Sequence, residues 1–271
     1  MKTRKESCAN PPRPLVEFDN ITVIKNDRIV LDGLSVTIGE GENIAILGPN
    51  GAGKSSFIKT ITREYYPVLG EGPVTFRVRG KDVWDVFNMR STLGIVSNDL
   101  QQTFARDMNG IEVILSGYFS SIGVYNREIS GEMQENADAI MDFLEIGHLK
   151  DRPMTGISSG EARRILIGRA LVNNPGTLIL DEPTNSLDLH ALHSFRNILR
   201  KIAQSGTGII LVTHNLHDII PEISRVILMK NGAFCNDGPK REILTDEIIG
   251  DLFCVPVHIR EESGYYYATG Y

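Results

Sequence analysis

The 271-residue sequence predicts an α/β fold with a mostly parallel sheet, an antiparallel β region near the N-terminus and a helical insertion. Three observations predict it. Apolar runs of the kind buried on both faces recur along the chain: "NIAIL" (Asn43–Leu47), "LGIVS" (Leu93–Ser97), "TLILDEP" and "GIILVTHN". The stretch Val16–Ile38 instead alternates apolar and polar residues, as half-exposed strands do. From about Asn98 to Ser159 the strand signals fade and helical spacing takes over.

Taken in order, "MKTRKESCANPPRP" is charged and Pro-rich and lacks an apolar run, so residues 1–14 read as a disordered tail. Short strands follow: "VEFDNITV" mixes alternating apolar residues with a turn, "KND" turns, "RIVLDG" runs to another break and "LSVTI" alternates cleanly. "NIAIL" leads into a Gly-rich loop that becomes a helix. "VTFRVR" (Val74–Arg79) alternates again, and "LGIVS" is a further buried strand. "NGIEVILSGYF" and "EMQENADAIMDFLEIG" carry helical spacing within the insertion. "LHALHSFRNILRKIAQSG" is amphipathic and ends at a Gly stop. "RVILMKNGAFCNDG" places Asn231-Gly232 between apolar runs, a strong hairpin signal. After Asp246 the chain reads as a C-terminal extension, 246–271, with room for a short hairpin.

A hydrophobic content of 41 % supports one sizeable α/β domain. The formal net charge of −6 argues against general nucleic-acid binding, which needs a basic face. Cys8, Cys235 and Cys254 lack metal-type spacing and read as reduced thiols of a cytosolic protein. No stretch reaches the ~18 apolar residues that span a bilayer.

The residues that carry chemistry lie at the ends of the buried strands. Gly48-Pro49-Asn50-Gly51-Ala52-Gly53-Lys54-Ser55 matches G-x-x-x-x-G-K-[ST] between a strand and a helix, with Ser56 next in line. The glycines let backbone N–H groups turn toward phosphate oxygens, and the following helix adds the positive end of its dipole. Lys54 can reach the outer phosphates, and the Ser55 hydroxyl suits Mg²⁺. The pattern predicts a P-loop NTPase core. Asp181 and Glu182 close an apolar strand; one acid can organise Mg²⁺ and the next can orient an attacking water. His214 ends another strand. Lys54, Asp181 and His214 therefore come to one edge of a parallel sheet, where ligands bind. Far from the P-loop, "ISSGEARRILIGRAL" opens a second anion-friendly helix: Ser158 or Ser159 can cap it, Gly160 permits close approach, and Glu161 suits the first turn.

Together these residues resemble an ATP-binding-cassette (ABC) ATPase over Val16 to about Gly238. Gly48–Ser55 resembles the Walker A loop and Thr177–Asp181 the Walker B strand. Glu182 is similar to the general-base glutamate, Ile157–Glu161 to the Leu-Ser-Gly-Gly-Gln signature, Ser186-Leu187-Asp188 to the D-loop, and His214 to the switch histidine. The resemblance implies ATP and Mg²⁺ as cofactors, with Ser55, Asn98 and Asp181 near the metal. It implies a head-to-tail dimer, in which Ser158, Ser159, Gly160 and Glu161 of one chain meet the ATP held by the other. The partner cassette is a second copy or a relative, and a separate transmembrane permease completes the transporter. The expected location is cytoplasmic, at the inner face of the membrane.

The sequence departs from the family pattern in three places. Ser159 replaces a glycine and Glu161 a glutamine of the signature. Asn98 stands where a glutamine is usual. Lys25, beside Ile24, stands where an aromatic often covers adenine. "VILSGYFSSIGVY" also resembles molybdenum-transport-related ATPases, and "FCVPVHIREESGYYYATGY" resembles the endings of metal-chelate importer ATPases. On this reading residues 15–245 form one ABC ATPase domain, with a helical subdomain at about 98–159, in an importer's ATP-hydrolysing subunit. The alternative is a soluble ABC ATPase of a nucleic-acid or translation process. Acidic charge and a single cassette without long heptad runs weigh against that alternative.

Overall fold

The computed structural model describes residues 13–68, 72–83, 92–104, 106–185 and 187–271. Most of the expected tail, residues 1–12, lies outside them. Pro14 pairs with Gly39 as the first residue of β1.

β1 (Pro14–Lys25) and β2 (Arg28–Gly39) form one long antiparallel hairpin. This corrects the expectation of several short strands. Asp19-Asn20 and Asp32-Gly33 are locally turn-like, but the chain passes through them as bulges. Asn20 and Gly33 take φ of 54° and 57°, and the register slips between Phe18 and Ile21. The Asn20 amide donates to Ser35 Oγ and the Gly33 amide to Thr22 Oγ1, so hydroxyls replace ladder bonds lost at the bulges. The strand Thr75–Val78, β4, pairs with the outer side of β1.

The main sheet has six strands in the order β5 (Leu93–Val96), β6 (Thr177–Asp181), β7 (Gly208–Thr213), β3 (Asn43–Leu47), β8 (Arg225–Lys230) and β9 (Ala233–Pro239). The first five run parallel; β9 returns antiparallel after the turn at Asn231-Gly232. β3 shows why its sequence is apolar from Ile44 to Leu47. Ile44 and Ile46 pack into one core with Phe18, Phe57, Ile210 and Ile227. Ala45 and Leu47 pack into the other with Leu180, Leu211 and Leu228. Successive side chains enter opposite layers, and both layers are covered.

On one face lie α1 (Lys54–Ile61) and the antiparallel sheet. The other face carries the helices of the insertion, α2 (Asn98–Phe104), α3 (Gly110–Leu115) and α4 (Gly131–Phe143), and the helix that follows it, α5 (Ser159–Leu171). Asn109 and Glu112 form a capping box on α3, and Ser130 caps α4. α6 (Leu189–Gln204) follows, capped by Asp188 and ended by Gly206 at φ 95°. After the short α7 (Lys240–Ile243) and α8 (Asp246–Phe253), the chain closes with the hairpin β10 (His258–Glu262) and β11 (Tyr265–Thr269). Among the described residues no helix is long and apolar enough to cross a membrane.

Candidate functional site

Register brings the predicted residues together. β6, β7 and β3 are neighbours: Asp181 pairs with Val212, and Leu47 pairs with Thr213. The next residues, Glu182, His214 and Gly48, therefore leave the sheet side by side at one edge.

The loop Gly48–Gly53 runs straight into α1. Gly53 sits at φ 104°, and a Cβ there would lie 2.7 Å from the Val30 carbonyl oxygen, so the position requires glycine. No side chain caps α1, so its first-turn N–H groups have no side-chain acceptor. Pro49, Asn50, Gly51 and Ala52 complete the loop. Lys54 is 4 % exposed and bends back over it, donating to the carbonyls of Gly48 and Pro49 at 2.9 and 3.0 Å. Ser55 and Ser56 follow in the first turn of α1.

Lys54 Nζ also lies 3.4 Å from Glu182 Oε1, and His214 Nδ1 lies 3.3 Å from the same oxygen. Asn185 donates to Glu182 Oε2 at 2.7 Å. Glu182 itself is held at φ 47°, in the left-handed region, by its amide bond to the Val212 carbonyl. Burial pushes the Glu182 carboxyl up, but Asn185, Lys54 and His214 together outweigh it and hold it below the usual carboxylate range. It is an ionised acceptor at neutral pH, placed at the mouth of the P-loop.

Asp181 differs. Burial pushes its carboxyl up, against a hydrogen bond from Ser55, and Oδ1 is buried with no partner. An orphaned carboxylate oxygen beside a serine hydroxyl fits a hard cation. Among the described residues no group of three His, Cys, Asp or Glu forms a ready-made cage. That donor set matches Mg²⁺, which takes one or two carboxylates and fills its remaining positions with water and phosphate. Asn98 opens α2, and its Oδ1 accepts from Arg163 at 2.9 Å. Ser55, Asn98 and Asp181 line one cavity of about 480 Å³.

The second anion-friendly helix start does not line this cavity, although Arg169 and Ala170 two to three turns further along α5 do. Ser158 is the N-cap of α5: its Oγ accepts from the Glu161 amide, and Glu161 Oε2 accepts from the Ser158 amide at 2.8 Å. Ser158 and Ser159 are exposed. None of Ser158, Ser159, Gly160 and Glu161 lines the cavity holding Ser55 and Asp181. A Cβ on Gly160 would meet Ala191 and Leu187, so this helix start abuts the one capped by Asp188. Ser186 lies outside the described residues.

Sequence reasoning missed Asn185, Arg163 and Asp218. Asp218 is 2 % exposed and accepts from both Thr213 and Thr184, at 2.7 Å for the latter, tying the His214 loop to the Glu182 loop. Tyr65 was missed as well: Lys25, expected near the base, lies with its Nζ 5.1 Å from the Tyr65 ring centre. Only "DEPTN" carried a local signal, an amide three residues after the acid.

A family model described as ABC transporter matches residues 31–185. The chain belongs to that family. This cassette is 33 % identical over 247 residues to the ABC transporter ATP-binding protein YlmA of Bacillus subtilis, covering 90 % of this chain and 93 % of the relative. It is 30 % identical over 243 residues to the hemin import ATP-binding protein HmuV of Bradyrhizobium diazoefficiens, covering 87 % of each. Its fold matches the dimeric post-hydrolysis structure of the cassette MJ0796 bound to ADP and Pi, with TM-score 0.65 and 25 % identity, over 83 % of this chain and 98 % of that one. The cassette is thus the ATP-binding subunit of an ABC transporter and an ATPase, built on a P-loop NTPase core.

Proposed function

We propose that two copies close head-to-tail on ATP and that hydrolysis reopens them, driving a separate membrane permease in the direction of import. The observation that carries this reading is the separation just described. Lys54, Glu182 and His214 meet at the sheet edge, while the capped, exposed start of α5 offers Ser158 and Ser159 away from that edge. Each chain has half of two sites. A self-complementary dimer completes both.

In this reading the Gly48–Ser56 segment and Lys54 bind the phosphates, and Ser158, Ser159, Gly160 and Glu161 of the other chain cover the γ-phosphate. Asp188, which caps α6, lines the junction. Glu182 accepts the proton of the attacking water, and His214 orients Glu182 and the γ-phosphate. Ser55 and Asp181 hold Mg²⁺, with Asn98 beside them. When bound, the metal neutralises charge building on the phosphate oxygens. Residues 15–245 work as one ATPase domain, with 246–271 as an extension. The helical subdomain, about 98–159, carries the permease-docking surface; exposed Ile122 on the cavity rim supports this. Docking places the cassette in the cytoplasm at the inner membrane face. The likeness to HmuV supports import.

ATP binding and phosphate release test the assignment. Lys54→Ala loses nucleotide binding; unchanged ATP affinity would contradict the P-loop role. Glu182→Gln binds ATP but releases phosphate at least about a hundredfold more slowly. Turnover near the native rate would remove Glu182 as the base.

A further inference from the structure

The segment that carries His214 is gripped from two sides. After β7 the chain passes through His214 and Asn215 into the short turn Leu216–Asp218. This stretch is closed on itself: the Asn215 amide donates to Thr213 Oγ1 at 2.9 Å, and the Asp218 amide to the Asn215 carbonyl at 3.2 Å. On its inner side, Asp218 accepts from Thr213, one residue before His214. It also accepts at 2.7 Å from Thr184, two residues after Glu182. On its outer side stands the C-terminal hairpin. The Tyr267 ring of β11 lies 5.1 Å from the His217 ring, centre to centre, at 54°. The turn of the hairpin is fixed as well. Lys240 Nζ donates at 3.2 Å to Gly264 on the hairpin and to Ile220 and Pro221 beyond the turn. Tyr266 is buried in one core with Leu216, Ile219 and Ile220.

We propose that Tyr267 and His217 are positioning residues, whose ring contact seats the turn after β7 and, through Asp218, sets His214 against Glu182. The proposal rests on the reading of Glu182 as the base and His214 as the group that orients it. The route is short. His217 adjoins Asp218 in the chain, and Asp218 holds both catalytic loops through their threonine hydroxyls. A turn closed by its own hydrogen bonds moves as a unit. A shift at His217 therefore reaches His214, whose Nδ1 lies 3.3 Å from Glu182 Oε1. Misplacing a catalytic group by about 1 Å can cost on the order of a hundredfold in rate. The phosphates are held by the loop between β3 and α1, so the rate falls while nucleotide binding is kept. His217 is exposed and Tyr267 half-buried, so neither ring fills the core.

Steady-state ATP hydrolysis by the full chain tests this, with kcat and KM read separately. Tyr267→Ala should lower kcat about fivefold and leave the KM for ATP within about twofold. His217→Ala breaks the same contact from the other side and should match it; either variant suffices if the other fails to fold. Tyr267→Phe keeps the ring and should stay within about twofold of the native kcat. Because the route runs through Asp218, adding Tyr267→Ala to Asp218→Asn should cost less than about twofold more. The proposal is overturned if the folded alanine variants turn over at the native rate, or if their loss falls on KM. It is overturned equally if Tyr267→Phe loses as much as Tyr267→Ala, or if the fivefold loss repeats in full on Asp218→Asn. Glu182→Gln, measured alongside, separates the two readings. Slow turnover by Glu182→Gln with native turnover by both alanine variants leaves the base standing and removes the positioning role. Turnover near the native rate by Glu182→Gln removes the base, and the positioning role with it.

Discussion

Ser158 and Glu161 satisfy each other through two backbone amides, and Glu161 Oε2 accepts from the Ser158 hydroxyl as well. The bond from the Ser158 amide, then that from its hydroxyl, holds the Glu161 carboxyl below its usual range. A lowered acid contributes stability above its unfolded pKa and loses it as pH falls through the folded value. Native protein should therefore be more stable than Glu161→Gln by about 0.5–1 kcal/mol near pH 7. The gap should close as pH drops below the ordinary glutamate value of 4.5, in thermal unfolding followed by circular dichroism. Asp218 works at the same scale: Asp218→Asn weakens the tie between the Glu182 and His214 loops. It should lower kcat about tenfold and leave the KM for ATP nearly unchanged. The P-loop, Asp181, Glu182 and His214 were legible because each is a short string at the end of a buried strand. Arg163 and Asp218 were not: their partners lie 65 and 34 positions away, and no local pattern announces such pairs.

At the scale of elements, alternation and capping carried most of the reading. The cap at Ser158, the hairpin at Asn231-Gly232 and the stop at Gly206 stand where turn chemistry puts them. Asp19-Asn20 misled because a locally good turn was overridden by pairing along the whole of β1. Two contacts between elements invite tests. A Cβ on Gly117 would lie 2.2 Å from the Arg169 carbonyl oxygen, so only glycine lets the insertion lie this close to α5. Gly117→Ala should cost about 1–3 kcal/mol in urea unfolding. Lys240 Nζ donates to the carbonyls of Ile220, Pro221 and Gly264, stapling the turn of the β10–β11 hairpin to the segment that precedes β8. Lys240→Ala should speed amide exchange along Tyr265–Thr269 before it affects β3.

At the scale of the whole molecule, one chain carries the P-loop edge and, on a different part of its surface, the exposed start of α5. A sequence can announce both halves, as this one does. It cannot show that they stand apart, because separation is a property of the folded chain. The account requires a second copy to bring them together, so ATP should create a dimer that one residue far from the P-loop can abolish. Gel filtration of Glu182→Gln with ATP and Mg²⁺ tests this most directly, run beside the same variant carrying Ser158→Arg. The account predicts a dimer for the first and an ATP-bound monomer for the second. A dimer that survives Ser158→Arg would make the start of α5 a capped helix and nothing more.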